Sequence, residues 1–171
     1  MKIDPIETLR LLLRGFTKDD ARFAIGIWND RQMGAYLPDA AMDEIDGAYL
    51  AQIEALGEDE TCCYLIAEDR RTHGRIGTCS FIPDAEHASI DIAYCVHRDF
   101  WGSGYATEMA QGMLDRARTH GASRATVRVN RENAASNAVA KKLGFSVIGE
   151  KSYKKRGTAL TFTDNLYEKE L

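Results

Sequence analysis

Three apolar stretches follow one another with short connections, and they constrain the fold more than any other feature of the chain. They cover residues 62–68, 75–82 and 89–96, with polar turns at residues 69–74 and at Pro83-Asp84. Apolar runs of this length, bounded by turn residues, predict β-strands. Because a parallel pair would need a connection long enough for a crossover helix, we expect these strands to be antiparallel.

The stretch before these strands predicts one strand and two helices. The strand covers residues 8–13, and Thr17 with Asp20 three residues later predicts a capping box at the start of the first helix. Apolar residues at helical spacing predict the second helix over residues 43–56.

After residue 96 the pattern changes to alternating helices and strands. Helices are predicted over residues 104–120 and 133–143, a strand over 124–129, and a closing hairpin over 146–153 and 158–167. The fold class is therefore α+β (mixed α/β), with a central, mixed, mostly antiparallel sheet of about seven strands flanked by about four helices.

Length and composition are those of one globular domain over residues 1–171. The net charge is −4, which gives no electrostatic basis for nucleic-acid binding, and the short basic run at residues 151–156 is interpreted as a solvated hairpin. The N-terminus does not resemble a signal peptide, and no apolar run reaches the roughly 18 residues of a membrane span. We expect a cytoplasmic protein.

Cysteine and histidine positions give no sign of a metal site. The cysteines form no C-x-x-C pair and lie in apolar runs, which predicts buried free thiols in a reducing compartment; they are Cys62, Cys63, Cys79 and Cys95. The histidines show no ligand spacing either, and they are His73, His87, His97 and His120.

A glycine-rich loop connects the third apolar strand to the next helix. Its residues are Gly102-Ser103-Gly104-Tyr105-Ala106. Backbone N–H groups at a helix N-terminus attract anions, and glycine lets a phosphate approach the backbone closely. The loop could bind a phosphate or be a turn without a ligand, since a lone G-x-G pattern is weak evidence. A Rossmann dinucleotide site uses the same physics, but Thr107 stands where its third glycine is expected, and too little chain follows for further β-α repeats.

The residues around the loop carry a family resemblance. The stretch from Tyr94 to Glu108, with the core Trp101-Gly102-Ser103-Gly104-Tyr105-Ala106-Thr107-Glu108, closely resembles the acetyl-CoA motif of GNAT acetyltransferases in its RimJ/RimL-like version. A second family motif follows at the expected interval, Asn130-Arg131-Glu132-Asn133-Ala134-Ala135-Ser136-Asn137. The wider family has Arg or Gln where Trp101 stands, and Trp is common there in the RimJ/RimL-like branch.

The resemblance implies a GNAT-like fold and a set of cofactor contacts. Acetyl-CoA is the expected co-substrate, without a metal. The loop amides would hold its pyrophosphate, the edge of the preceding strand would pair with its pantetheine arm, and the last helix would lie beside its sulfur. The residues so implied are Cys95, Val96, His97, Gly102, Ser103, Gly104, Tyr105, Ala106, Thr107, Asn133 and Ser136.

The resemblance also suggests how protons are transferred. Many GNAT enzymes use a tyrosine on the last helix as the general acid, and that position holds Ala140 in this chain. Ser136 is the branch's usual substitute, although a small residue that only permits close packing would look the same. Asp91 is the candidate base, and Glu108 is a weaker one that could simply complement the helix dipole.

The acceptor is expected to be a primary amine. In relatives the N-terminal helices form the acceptor wall, which here would contain Trp28, Tyr36 and Tyr49. The preferred acceptor is a protein or peptide N-terminal α-amine, as in RimJ/RimL. A small-molecule amine would favour a carboxylate-lined pocket, with Asp39, Asp43, Glu44 and Asp46 as candidates. A non-catalytic acetyl-CoA sensor is a third possibility. A homodimer would be consistent with relatives.

Overall fold

The computed structural model describes residues 3–84, 86 and 88–171. The strands in chain order are β1 (Ile6–Glu7), β2 (Leu11–Gly15), β3 (Cys63–Asp69), β4 (Arg75–Asp84), β5 (Ser89–Val96), β6 (Arg124–Asn130), β7 (Ser146–Lys154) and β8 (Thr161–Glu170). The α-helices are α1 (Ala21–Trp28), α2 (Gly47–Glu54), α3 (Tyr105–Thr119) and α4 (Ala134–Lys142). Short 3-10 turns lie at Lys18–Asp20, Ala55–Glu58 and Arg98–Phe100.

The strands form one sheet in the order β1-β2-β3-β4-β5-β6-β8-β7. Every neighbouring pair is antiparallel except β5 and β6, which are parallel because α3 crosses over between them. Helix α4 makes a second crossover, after which β7 runs in the same direction as β6 with β8 between them. The predicted α+β class is confirmed, with eight strands among the described residues where about seven were expected.

The sheet has a helical layer on each face. Helices α3 and α4 cover one face and bury the main core, which includes Leu65 and Ile92 from the sheet and Met109 and Met113 from α3. Helices α1 and α2 cover part of the other face through a smaller cluster around Ile25 and Ile66. Side chains on successive strand residues therefore point to these two layers in turn.

Three predicted boundaries are wrong for identifiable reasons. The strand predicted over residues 8–13 begins too early, because the chain turns at residues 8–10 and only β2, from Leu11, continues as the strand that pairs with β1. The predicted turn at Pro83-Asp84 belongs to β4, whose last pairs join these residues to Ile90 and Ser89. The second helix starts later than expected, because Asp46 is its N-cap and accepts a hydrogen bond from the Tyr49 N–H at 2.7 Å.

The basic run at residues 151–156 is only partly solvated. Lys155 is 7% exposed, and its Nζ donates to the carbonyl of Ala35 at 2.6 Å and lies over the Phe162 ring. Arg156 forms an ion pair with Asp39. These contacts hold the connection between α1 and α2 against the β7-β8 hairpin, so the solvated interpretation is wrong for Lys155.

No helix in the part of the chain that the structure describes is long and apolar enough to cross a membrane.

Candidate active site

The sheet opens between β5 and β6. Pairing of these strands stops at Ile92 with Val127, although both strands continue. Beyond that point β6 still pairs with β8, and residues 93–96 of β5 still pair with β4. The two parallel strands therefore separate, and one edge of β5 is left without a neighbouring strand over its last four residues.

The hydrogen-bonding pattern identifies which backbone groups face this opening. The N–H of His97 donates to the carbonyl of Ile76 on the β4 side at 2.9 Å. Since groups alternate along an antiparallel ladder, those of Cys95 also point to β4, whereas those of Tyr94 and Val96 point to the opening. The indole Nε1 of Trp101 donates to the Val96 carbonyl at 2.7 Å, which confirms this orientation. The resemblance implies that a backbone N–H near Cys95 or Val96 stabilises the oxyanion of the thioester carbonyl, and of these two residues Val96 has its N–H directed to the opening.

The glycine-rich loop follows directly on this open edge. Gly102 and Gly104 have φ angles of +72° and +81°, a left-handed conformation that disfavours any residue with a side chain. Gly104 is the N-cap of α3, whose fifteen residues align their backbone dipoles toward the loop. The amides of Tyr105, Ala106 and Thr107 are in the first turn, where no intrahelical acceptor exists for them. Gly104 and Thr107 line a cavity of about 750 Å³ between α3 and the turn after β1.

Arg10 holds the loop in place, and sequence reasoning missed this role. Its Nη1 donates to the Ser103 carbonyl at 3.0 Å, and its guanidinium lies 4.1 Å from the centre of the Tyr105 ring. Its Nε donates to Glu108 at 2.7 Å. No local pattern around Arg10 indicates a contact with residues 103–108, which are more than 90 positions away in the sequence.

Glu108 is a structural residue in this arrangement. It accepts hydrogen bonds from the Thr8 hydroxyl and from the Arg10 backbone N–H, both at 2.6 Å. Burial alone would raise the pKa of Glu108, but these bonds outweigh it and lower the pKa. A carboxylate with this many donors is a poor proton acceptor, which removes the support for Glu108 as the base.

The start of α4 lies across the opening from β5. Asn133 is the N-cap of α4 and its side chain accepts from the Ser136 N–H at 3.1 Å. The hydroxyl of Tyr94 lies 3.5 Å from the Ser136 carbonyl, which joins the open strand to this helix. The position where the wider family has tyrosine is held by Ala140, which carries no hydroxyl and is buried in the main core with 1% exposure.

Asp91 lies on the face covered by α1, in the paired part of β5. It accepts a hydrogen bond from the Thr126 hydroxyl at 2.7 Å and lies 3.9 Å from Arg128. Four residues of strand, or about 13 Å, separate it from Cys95. The role of Asp91 as the base stays a prediction. This distance disfavours a direct contact between its carboxylate and an amine that reacts near Cys95.

Of the three aromatic residues expected to form an acceptor wall, Trp28 lies on the same face. Trp28 donates from Nε1 to the Thr78 hydroxyl at 3.0 Å, and Thr78 pairs with Cys95. The side chain of His97 stacks on Phe23 of α1, with ring centroids 6.3 Å apart. Tyr49 packs in the smaller core cluster, and Tyr36 is 41% exposed.

The four acidic residues proposed for a cationic pocket have separate roles. Asp46 caps α2, and Asp39 is neutralised by Arg156, whose hydrogen bond lowers the Asp39 pKa. Asp43 pairs with Arg31 in solvent, and Glu44 is exposed. Three of the four are therefore already engaged by partners within the chain.

The cysteines are free thiols, three of them buried. Burial raises the pKa of Cys63 and of Cys95 to about 11, so both are protonated near neutral pH. Cys95 is therefore a poor nucleophile for a covalent acetyl intermediate. Among residues 3–84, 86 and 88–171, no three His, Cys, Asp or Glu side chains are grouped as metal ligands. His87 lies outside the described residues.

Known proteins share both the sequence pattern and the fold. The model of the acetyltransferase (GNAT) domain family matches residues 10–146. An uncharacterized N-acetyltransferase, p20 of Bacillus licheniformis, is 26% identical over 154 residues, which cover 86% of this chain and 85% of p20.

Two solved structures share the fold at low sequence identity. Spermidine N-acetyltransferase from Vibrio cholerae, in complex with CoA and spermine, has a TM-score of 0.80 at 18% sequence identity. The superposition covers 95% of this chain and 96% of the spermidine N-acetyltransferase chain. RimL, a ribosomal L7/L12 α-N-protein acetyltransferase, has a TM-score of 0.78 at 17% sequence identity, and the superposition covers 98% of this chain and 94% of the RimL chain. With the family match over most of its length, the chain belongs to the acetyltransferase (GNAT) domain family and is an acetyl-CoA-dependent N-acetyltransferase.

Proposed function

We propose that the chain transfers an acetyl group directly from acetyl-CoA to a protein or peptide N-terminal α-amine. The observation that carries the proposal is the opening between β5 and β6 beside the left-handed glycine loop. The loop amides of residues 102–107 are suited to the pyrophosphate, and the free edge of β5 is suited to pairing with the pantetheine arm.

The thioester then lies at the end of β5. The Val96 N–H is directed to donate to its carbonyl oxygen and to stabilise the oxyanion that forms when the amine attacks. Asn133 and Ser136 at the start of α4 are assigned to the sulfur, and Ser136 is the hydroxyl that can donate to the departing thiolate. Because the Cys95 thiol is protonated, attack by the amine on the cofactor itself is favoured over an acetyl-cysteine intermediate.

We base the proposed acceptor class on the face opposite α3 and α4. A polyamine carries several positive charges and calls for several carboxylates in one pocket. Asp39 and Asp46 are used in an ion pair and a helix cap. The aromatic wall with Trp28 and the exposed Tyr36 suits a single amine with an uncharged chain behind it, which favours a peptide N-terminus.

A thiol-release assay with an amine panel tests this proposal. The panel contains a peptide with a free N-terminal serine, the same peptide with its N-terminus blocked, spermidine, an aminoglycoside and free amino acids. We expect CoA release with the free peptide and none above background with the blocked one. Fastest release with spermidine would contradict the acceptor class, and no release with any amine would favour the non-catalytic sensor.

A further inference from the structure

A second carboxylate lies level with the reacting end of β5. Parallel pairing ends at Ile92 with Val127, and three further residues along each strand bring Cys95 level with Asn130. Asn130 pairs with Asp164 on β8. Asp164 therefore lies in the row of the sheet that crosses the opening at the predicted thioester. It is one strand spacing, or about 5 Å, beyond the β6 edge of the opening and at least about 10 Å from Cys95, whereas Asp91 lies about 13 Å from Cys95 along β5.

Asp164 also points to the acceptor face. Asn165 and Tyr167 follow Asp164 on β8 by one and three residues, and the side chains of both donate to the Asn137 side chain on α4 at 2.8 Å. Because strand residues alternate between faces, Asp164 points away from α4, to the face that carries Trp28 and Cys95.

The surroundings of Asp164 are only partly solvated. The hydroxyl of Tyr153 donates to it at 3.3 Å, and the Asn130 side chain also bonds it. The charged groups that face it are Arg128 on β6 and Lys151, directly opposite on β7. Burial raises the pKa of Asp164 above its ordinary value, despite these donors and the positive charge of Arg128. Such a carboxylate is better matched to accepting a proton than a fully solvated one.

We propose that Asp164 binds the ammonium group of the acceptor and removes its proton. One N–H proton passes to the Asp164 carboxylate, and the freed nitrogen lone pair attacks the thioester carbonyl carbon. The C–S bond breaks, and the sulfur keeps the electron pair and takes a proton from Ser136 or water. The nitrogen, which becomes positively charged on attack, loses its second proton, and this proton restores the Ser136 hydroxyl or the water. Asp164 returns its proton to solvent. The inference rests on the proposed amine acetylation.

Steady-state kinetics of Asp164→Asn with the best peptide of the panel tests the assignment. We expect kcat/KM to fall by about a hundredfold or more at neutral pH, with the acetyl-CoA Kd unchanged. Glu168→Gln is the matched control, because Glu168 lies on the same strand and face and has an arginine nearby, Arg124, at 3.6 Å. It should stay within about twofold of the wild type, the usual effect of a surface substitution.

An acceptor that is already neutral separates proton removal from a structural effect. With an arylamine, which is already neutral before it attacks, Asp164→Asn should lose less than about threefold, within what a surface substitution changes. An equal loss with the peptide and the arylamine would overturn the proposal, as would a small loss with both. A hundredfold loss in Asp91→Asn alone would assign the base to Asp91. A wild type that releases no CoA with any amine would instead contradict the proposed function.

Discussion

At the residue scale, this chain departs from its wider family in the group that can protonate the leaving thiolate. The tyrosine position on α4 holds the buried Ala140, so a hydroxyl for the leaving thiolate has to come from elsewhere. Ser136 lies in the first turn of α4, beside Asn133 and the open edge of β5. A thiolate leaves readily because thiols have a pKa of about 8.5, so the help that it needs is modest.

Substitution of Ser136 tests this role. Ser136→Ala should lower kcat by roughly tenfold to a hundredfold while the acetyl-CoA Kd stays nearly unchanged. Stopped assays with the best peptide give kcat, and calorimetry gives the Kd. Parallel loss of both quantities would make Ser136 a packing residue. An unchanged kcat would leave proton delivery to water.

At the scale of elements, a buried ion cluster joins β2 to α1. Asp20 has no exposed side-chain surface and pairs with Arg14 at 2.7 Å and Arg75 at 2.9 Å. It also accepts from the Thr17 N–H at 2.9 Å, the capping-box contact predicted from the sequence. Burial alone would raise the pKa of Asp20, but the bonds from Arg14 and Thr17 lower it from 3.8 to about 2.

This cluster should make the fold sensitive to acid. Because the folded-state pKa lies below the unfolded one, Asp20 contributes stability above pH 3.8 and loses it as the pH falls toward about 2. The shift corresponds to about 2 kcal/mol. Urea unfolding at stepped pH should therefore show a drop in the free energy of unfolding that is about 2 kcal/mol larger in the wild type than in Asp20→Asn.

The exposed neighbour provides the control. Asp19→Asn should keep the acid-induced drop of the wild type, because Asp19 is exposed at the same turn. The same pH dependence in Asp20→Asn and the wild type would contradict the role given to the cluster. Asp20→Asn should also be less stable at neutral pH, since it leaves Arg14 without its buried partner.

The elements that sequence predicts best are those whose pattern is local. Helices α3 and α4 and the strand cores β3 to β6 follow from apolar periodicity. The break between β1 and β2 does not, because it depends on Glu108, which bonds the Arg10 N–H from 98 residues away. Lys155 is similar: its burial requires the carbonyl of Ala35 from a different part of the chain. Asp164 becomes a candidate only once the register of β5, β6 and β8 is known.

At the scale of the whole molecule, the site is built where the sheet changes its pairing. Strands β1 to β5 form an antiparallel half, and β6 to β8 form a second half joined to it by one short parallel pair. The opening lies at that junction, with α3 and α4 on one face and α1 on the other. Cofactor and acceptor can thus approach the end of β5 from opposite faces, which suits direct transfer between them.

Calorimetric titration of acetyl-CoA is the most direct test that the loop and the open strand form the cofactor site. We expect micromolar binding to the wild type and none for NADH. Gly104→Ala should bind acetyl-CoA at least about tenfold more weakly, a loss of about 1.4 kcal/mol. The φ angle of Gly104 is +81°, and an added Cβ would meet no protein atom closer than 3.7 Å. The group that this Cβ would obstruct is therefore the bound pyrophosphate. Gly121→Ala, with φ +87° at the far end of α3, carries the same backbone strain and should bind like the wild type. Equal affinity in all three proteins, or binding of NADH without acetyl-CoA, would contradict the account.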